Sequence, residues 1–136
     1  TPSKFNHNTE LSPDGRTLAF GIYNGQEKRD YLKIAPMAGG ELKTVFRTEP
    51  GESIMKASTL AWSKDGQSVL VTRCKPGPTQ KCEVWRTPIN GGAPERIIAA
   101  DTILEIRLSP DGKRLAYDAS QFSGEIWAMQ NFLVPR

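Results

Sequence analysis

The chain contains one histidine and two cysteines in 136 residues. That scarcity excludes histidine-rich metal centres. Zinc fails as well: His7 lies far from Cys74 and Cys82 in sequence, and two further ligands are missing. No G-x-S-x-G elbow is present to raise a serine nucleophile, and His7 sits in a polar stretch unsuited to a general base. Carboxylate neighbours such as Glu10 and Asp14 have ordinary turn or surface explanations. No catalytic residue and no cofactor are therefore expected. No apolar run approaches the roughly 20 residues of a membrane-crossing helix, so membrane insertion is not expected. There is no signal peptide and no initiator methionine, which suggests an excised piece or a processed product.

Charge of one sign is also scarce as a local feature. The 18 Lys and Arg against 15 Asp and Glu leave a net +3, but they are dispersed. The densest group, Glu27-Lys28-Arg29-Asp30, is neutral as a whole. Nucleic-acid surfaces want clustered basic residues with stacking aromatics, so no nucleic acid is expected. At 38% hydrophobic and 24% charged, the chain has the makings of one soluble domain with a real core.

What the chain does have is a repeat. The turn strings Ser12-Pro13-Asp14-Gly15, Ser63-Lys64-Asp65-Gly66 and Ser109-Pro110-Asp111-Gly112 recur 51 and then 46 residues apart. Pro36-Met37-Ala38-Gly39-Gly40 matches Pro88-Ile89-Asn90-Gly91-Gly92, and Glu83-Val84-Trp85 matches Glu125-Ile126-Trp127. Around these landmarks run short stretches rich in apolar and β-branched residues, bounded by Gly, Pro, Asn and Asp, and no stretch holds a helical period. The spacing predicts four strands per repeat: 9–12, 17–24, 31–36 and 41–48; then 59–63, 68–74, 82–87 and 94–99; then 103–109, 114–118 and 125–129. Trp62, Leu11 and Leu108 before the turns, and Trp85 and Trp127 on the third strands, are expected in the core. The fold class is all-β, built from units of four antiparallel strands, with the third unit incomplete.

The SPDG string has a physical reading as a turn. Proline presets the first corner of a type I turn, Asp tolerates the second, and Gly takes the left-handed position that closes the hairpin. Lys64 replaces proline in the middle copy, which that corner accepts. Calcium through Asp14, Asp65 and Asp111 is not expected, because each loop offers one carboxylate where calcium wants six to eight oxygens. The Gly-Gly turns likewise lack the helix start that a phosphate-cradling loop needs.

Four-stranded units of this length are the sequence form of β-propeller blades. The strings LSPDGRTLAF, PMAGGELKTVF and SPDGKRLAYDASQFSGEIWAMQNF resemble the TolB-like, WD-like propeller repeats found in many bacterial proteins, from about Thr9 to Phe132. The resemblance implies three blades at about 9–53, 54–101 and 102–132, the last incomplete. It also implies an N-terminal segment, residues 1–8, with Phe5 as an apolar anchor. Two copies would give the six blades associated with the TolB family, each N-terminal segment supplying the missing strand of the partner. The alternative is a fragment of a longer propeller.

Cys74 and Cys82 flank Lys-Pro-Gly-Pro-Thr-Gln-Lys in the second hairpin between strands two and three. In such a hairpin they can face each other within disulfide reach. A bridge would place the protein in the periplasm or outside the cell, whereas two reduced thiols would suit the cytoplasm. The resemblance implies a non-enzymatic protein–protein scaffold that binds at one mouth of the propeller. The loops gathered there would be 24–30, 50–53, 75–81, Asp101 and 121–124. The candidate binding residues are Lys28, Arg29, Glu52, Lys75, Lys81 and Asp101, with an unidentified and preferably acidic protein partner. The alternatives are a sensor or accessory segment of a larger signalling protein, or the propeller of a hydrolase whose peptidase domain lies outside this chain.

Overall fold

A computed structural model describes residues 5–54, 60–78, 80–119 and 125–130, with the side chains of residues 5–7 and 125 outside that description. Its strands are β1 (Phe5–Leu11), β2 (Thr17–Asn24), β3 (Arg29–Pro36) and β4 (Lys43–Arg47), then β5 (Ser53–Ile54), β6 (Leu60–Trp62), β7 (Ser68–Lys75), β8 (Lys81–Pro88) and β9 (Glu95–Ala100). β10 (Glu105–Leu108), β11 (Arg114–Ala119) and β12 (Glu125–Gln130) complete the set. They form three antiparallel sheets. The first is β1-β2-β3-β4, the second sets both β5 and β6 against β7 and continues through β8 to β9, and the third is β10-β11-β12. The fold is all-β among the described residues.

Period-two patterning explains the strands. In β3, Asp30, Leu32 and Ile34 are buried while Tyr31, Lys33 and Ala35 are half-buried. The sheets then stack face to face. Ala19, Leu32, Ile34 and Phe46 of the first meet Ile54, Leu60, Trp62, Val69 and Val71 of the second. Leu70, Val84 and Ile98 of the second meet Ile106 and Leu115 of the third. The inner strands β1 and β10 flank β6, and the Trp62 indole N–H donates to the Glu10 carbonyl at 2.9 Å, pinning one inner strand to the next.

The three SPDG turns share one geometry. Gly15, Gly66 and Gly112 have φ of 71°, 70° and 73°, and each glycine N–H donates to the carbonyl of Ser12, Ser63 or Ser109. Each serine hydroxyl donates to the aspartate two residues on and accepts the N–H five residues on. The serine hydroxyl and then a backbone N–H hold the carboxyls of Asp14, Asp65 and Asp111 below the ordinary 3.8. A depressed folded pKa gives stabilisation that is present above the unfolded value of about 4 and is lost as pH falls through the lower folded values. Urea unfolding followed from pH 5 to pH 2 will show that decline, and Asp65→Asn will flatten it; an unchanged slope in the variant would refute the coupling.

The copies differ in crowding. A Cβ on Gly15 meets nothing within 4 Å, whereas one on Gly112 would lie 2.8 Å from Cβ of Lys64 in the neighbouring sheet. Gly15→Ala therefore costs only the left-handed strain, about 1–2 kcal/mol. Gly112→Ala costs that plus a collision, and thermal unfolding of the two variants will rank them in that order.

Several expectations need correction. β1 starts at Phe5 rather than Thr9, and Phe5 pairs with Ile22, so residues 5–8 belong to the inner strand of their own sheet. The inner strand of the second sheet has an unforeseen first piece, β5, paired with Arg73 and Cys74. Leu11 is 50% exposed because its face of the first sheet points away from the second. Trp127, at the position of Trp85, is 51% exposed because β12 is the outermost described strand of its sheet.

Candidate functional site

The first hairpin loop between second and third strands and the connection from the first sheet to the second meet at one end of the stack. Asn24 opens the first hairpin loop by accepting the N–H groups of Gln26 and Glu27 on Oδ1, at 3.0 and 3.2 Å. Lys28 then turns left-handed at φ 54°, and its carbonyl accepts the Gly51 N–H at 2.9 Å. This ties the hairpin to the 48–53 connection.

Below that tie lies a buried polar knot. The Asp30 N–H donates to Oγ1 of Thr48 at 2.9 Å, and that hydroxyl donates to the Glu52 carbonyl at 3.0 Å. Oδ2 of Asp30 accepts the Ile54 N–H at 2.7 Å. The knot satisfies backbone groups that an irregular connection would otherwise leave unpaired in the interior.

Glu52 carries the connection across to the second sheet. It is only 6% exposed, with Arg73 at 3.4 Å and Lys75 at 3.8 Å. Arg73 also reaches Glu83 at 3.3 Å, and its guanidinium lies 4.5 Å from the Trp85 ring centroid and 6.0 Å from that of Phe46. Glu83 in turn pairs with Arg96 at 3.4 Å. An alternating chain of charges thus runs from the 48–53 connection across β7, β8 and β9 of the second sheet, with Phe46 of the first sheet and Trp85 of the second beside Arg73.

The second hairpin is closed by a disulfide between Cys74 and Cys82, which are directly opposite in the register with Cα atoms 4.1 Å apart. Lys75 and Lys81, the next pair outward, also stand directly opposite. Two like charges held across a strand pair repel. Glu52 draws one away and Asp101, in contact with the Lys81 ammonium, draws the other.

Of the six candidate residues, Lys28, Arg29, Glu52 and Lys75 gather at the first seam, while Lys81 and Asp101 pair on the far side of the second hairpin. Glu52 is spent internally as a bridge, and Arg29 pairs with Glu27 at 3.5 Å. The exposed set is therefore Lys28, Lys75 and Lys81, with the half-buried Asp101 and the buried Glu52 offsetting part of their positive charge. Arg73, Trp85 and Asp30 were not anticipated as members. Their signal was weak: a charge at position 73 inside an apolar strand, and one at position 30 beside other charges. The expected 121–124 loop lies outside the described residues.

Meandering antiparallel sheets, stacked with their inner strands adjacent, define a β-propeller arrangement. It is the TolB-like form. TolB from Acinetobacter baumannii matches 90% of this chain and 29% of its own at TM-score 0.70 and 18% identity. A putative TolB from Agrobacterium tumefaciens matches 93% of this chain and 43% of its own, at 0.65 and 21%. The β-propeller domain of the Trilobed protease from Pyrococcus furiosus matches 95% of this chain and 39% of its own, at 0.70 and 14%. The chain thus spans less than half the length of these proteins, and identities this low speak for fold alone. No family model and no curated protein matches the sequence.

Proposed function

We propose that this chain is a non-enzymatic, protein-binding part of a TolB-like β-propeller that works through the end bearing the disulfide-clasped hairpin. The observation that carries this reading is the rigidity built there. A disulfide closes the hairpin at Cys74 and Cys82, and Glu52, whose carbonyl accepts from Thr48, pairs with Arg73 beside it. A loop already ordered before binding forfeits less conformational entropy on binding, which favours a preformed recognition surface. The disulfide also supports an oxidising compartment, the periplasm or the exterior.

Immobilised chain tests the reading against its Lys75→Glu/Lys81→Glu variant. The expected outcome is a protein retained specifically by the first and lost from the second, with both keeping the same circular dichroism. Equal retention, or peptide hydrolysis by the chain alone, would overturn it. The protease neighbour favours one other reading, a propeller that accompanies a peptidase domain; recombination of this chain with such a domain would then change its peptide selectivity.

The two-copy ring draws unequal support from its two flanks. Leu11 and Met37, exposed on the first sheet, occupy the positions that Trp62 and Ile89 fill at the seam with the second. The outward flank of the third sheet mixes Ile126, exposed at the position that Val84 fills in the second seam, with the Glu105–Arg107 ion pair, Arg114 and Asp118. Light scattering decides: about 30 kDa, twice the 15.0 kDa chain, supports the ring, and a monomer removes it.

A further inference from the structure

The opposite end of the stack holds a cleft of about 200 Å³ between the second and third sheets, lined by Ser63, Lys64, Asp65, Ser68, Arg86 and Gly112. It is independent of the binding end described above. Its chemistry stands out when the two seams are compared position by position. Lys64 sits where the first turn has Pro13. Arg86, opposite Leu70, sits where the first sheet has Ile34 opposite Ala19. Ile34 is buried in the first seam. One buried apolar position of the first seam and one exposed turn proline are thus both replaced by cations in the second sheet, and both cations line the same cleft.

The surroundings keep these cations in place without neutralising them fully. Gly112 packs so tightly on the Lys64 stem that no side chain fits between them, which carries Lys64 across from one turn to the next. Among the described residues, no carboxylate pairs with the Lys64 ammonium. Arg86 gives Nη2 to Glu95 at 2.5 Å, which leaves its other guanidinium donors for a second acceptor. The one carboxylate in the lining is Asp65, whose Oδ1 accepts the Ser63 hydroxyl at 2.6 Å and the Gln67 N–H at 3.0 Å. Charge-assisted donors on two sides of a small cleft are what a compact oxyanion needs, and Arg favours its planar oxygen pairs.

We propose that this cleft is a binding site for a small oxyanion, a phosphate or carboxylate group, held between Lys64 and Arg86. Nuclear magnetic resonance titration of the intact chain with inorganic phosphate, and separately with citrate, tests it at constant ionic strength. The expected result is saturable shifts confined to residues 63–68, 86 and 111–113 with at least one probe. Phosphate alone would assign the site to phosphoryl groups, citrate alone to carboxylates, and both to the shared chemistry. Lys64→Pro, which installs the residue of the other two turns and so keeps the turn, will weaken binding about tenfold. Lys64→Ala serves as a second variant should proline disturb packing on Gly112. No saturable shift with either probe, or undiminished binding in a folded Lys64 variant, would overturn the proposal.

Discussion

Leu32→Ala lowers the unfolding free energy by about 2–5 kcal/mol, as expected when a large buried side chain is cut back in a core that relaxes only partly. Leu32 is fully buried on β3, in the seam between the first and second sheets. Val84 holds the same place in the second sheet and is also fully buried; Ile126 holds it in the third and is 84% exposed. Ile126→Ala therefore changes stability by no more than about 0.5 kcal/mol, like other surface substitutions. Urea melts of the two variants at matched m-values measure both numbers. The pair is informative because sequence position within the repeat is identical and only the neighbouring sheet differs. A loss of several kcal/mol at Ile126 would mean that something covers that flank in solution.

Removal of the disulfide has the next largest effect. Cys74 and Cys82 are eight residues apart, and a loop that small contributes about 2–3 kcal/mol by restricting the unfolded chain. The double variant Cys74→Ser/Cys82→Ser will lose about that much. It will lose it locally as well, because Lys75 and Lys81 stand directly opposite and are then free to splay. Hydrogen exchange at residues 73–83 will rise above that of β7 and β8 nearer their middles. Unchanged protection at the hairpin end would show that Glu52, Arg73 and Asp101 hold it without the bridge.

The sequence displays the turns most clearly, because each demands particular residues: a glycine able to adopt φ near 70°, and a serine and aspartate that bond to the turn backbone. The cysteine pairing was legible as a possibility for the same reason, since a hairpin places flanking residues opposite one another. Strand β5 was not legible. Two residues, Ser53 and Ile54, carry no period, and they join β7 because Asp30 from another sheet accepts the Ile54 N–H. Glu52 read as a surface charge and is instead buried against Arg73, a partner 21 positions away whose approach depends on sheet stacking. Leu11 and Trp127 read as core because their equivalents are core. Apolar character reports that a face can be covered, whereas coverage depends on which sheet lies beside it.

The cleft beside Lys64 shows the converse. A lysine in place of proline looked like tolerance in a permissive turn, and Arg86 gave no signal of its own. Only the stacking of the third turn on the second brings Lys64, Arg86 and Gly112 to one place.

The proposed binding end of the stack is the one bearing the clasped hairpin. A photoreactive side chain placed at position 75 in one chain, and at the exposed Lys113 of the opposite end in another, tests that claim inside cells. Cross-linking to a discrete protein partner from position 75, with none from position 113, is the predicted result. Adducts from position 113 alone would place the interaction at the opposite end and overturn the proposal.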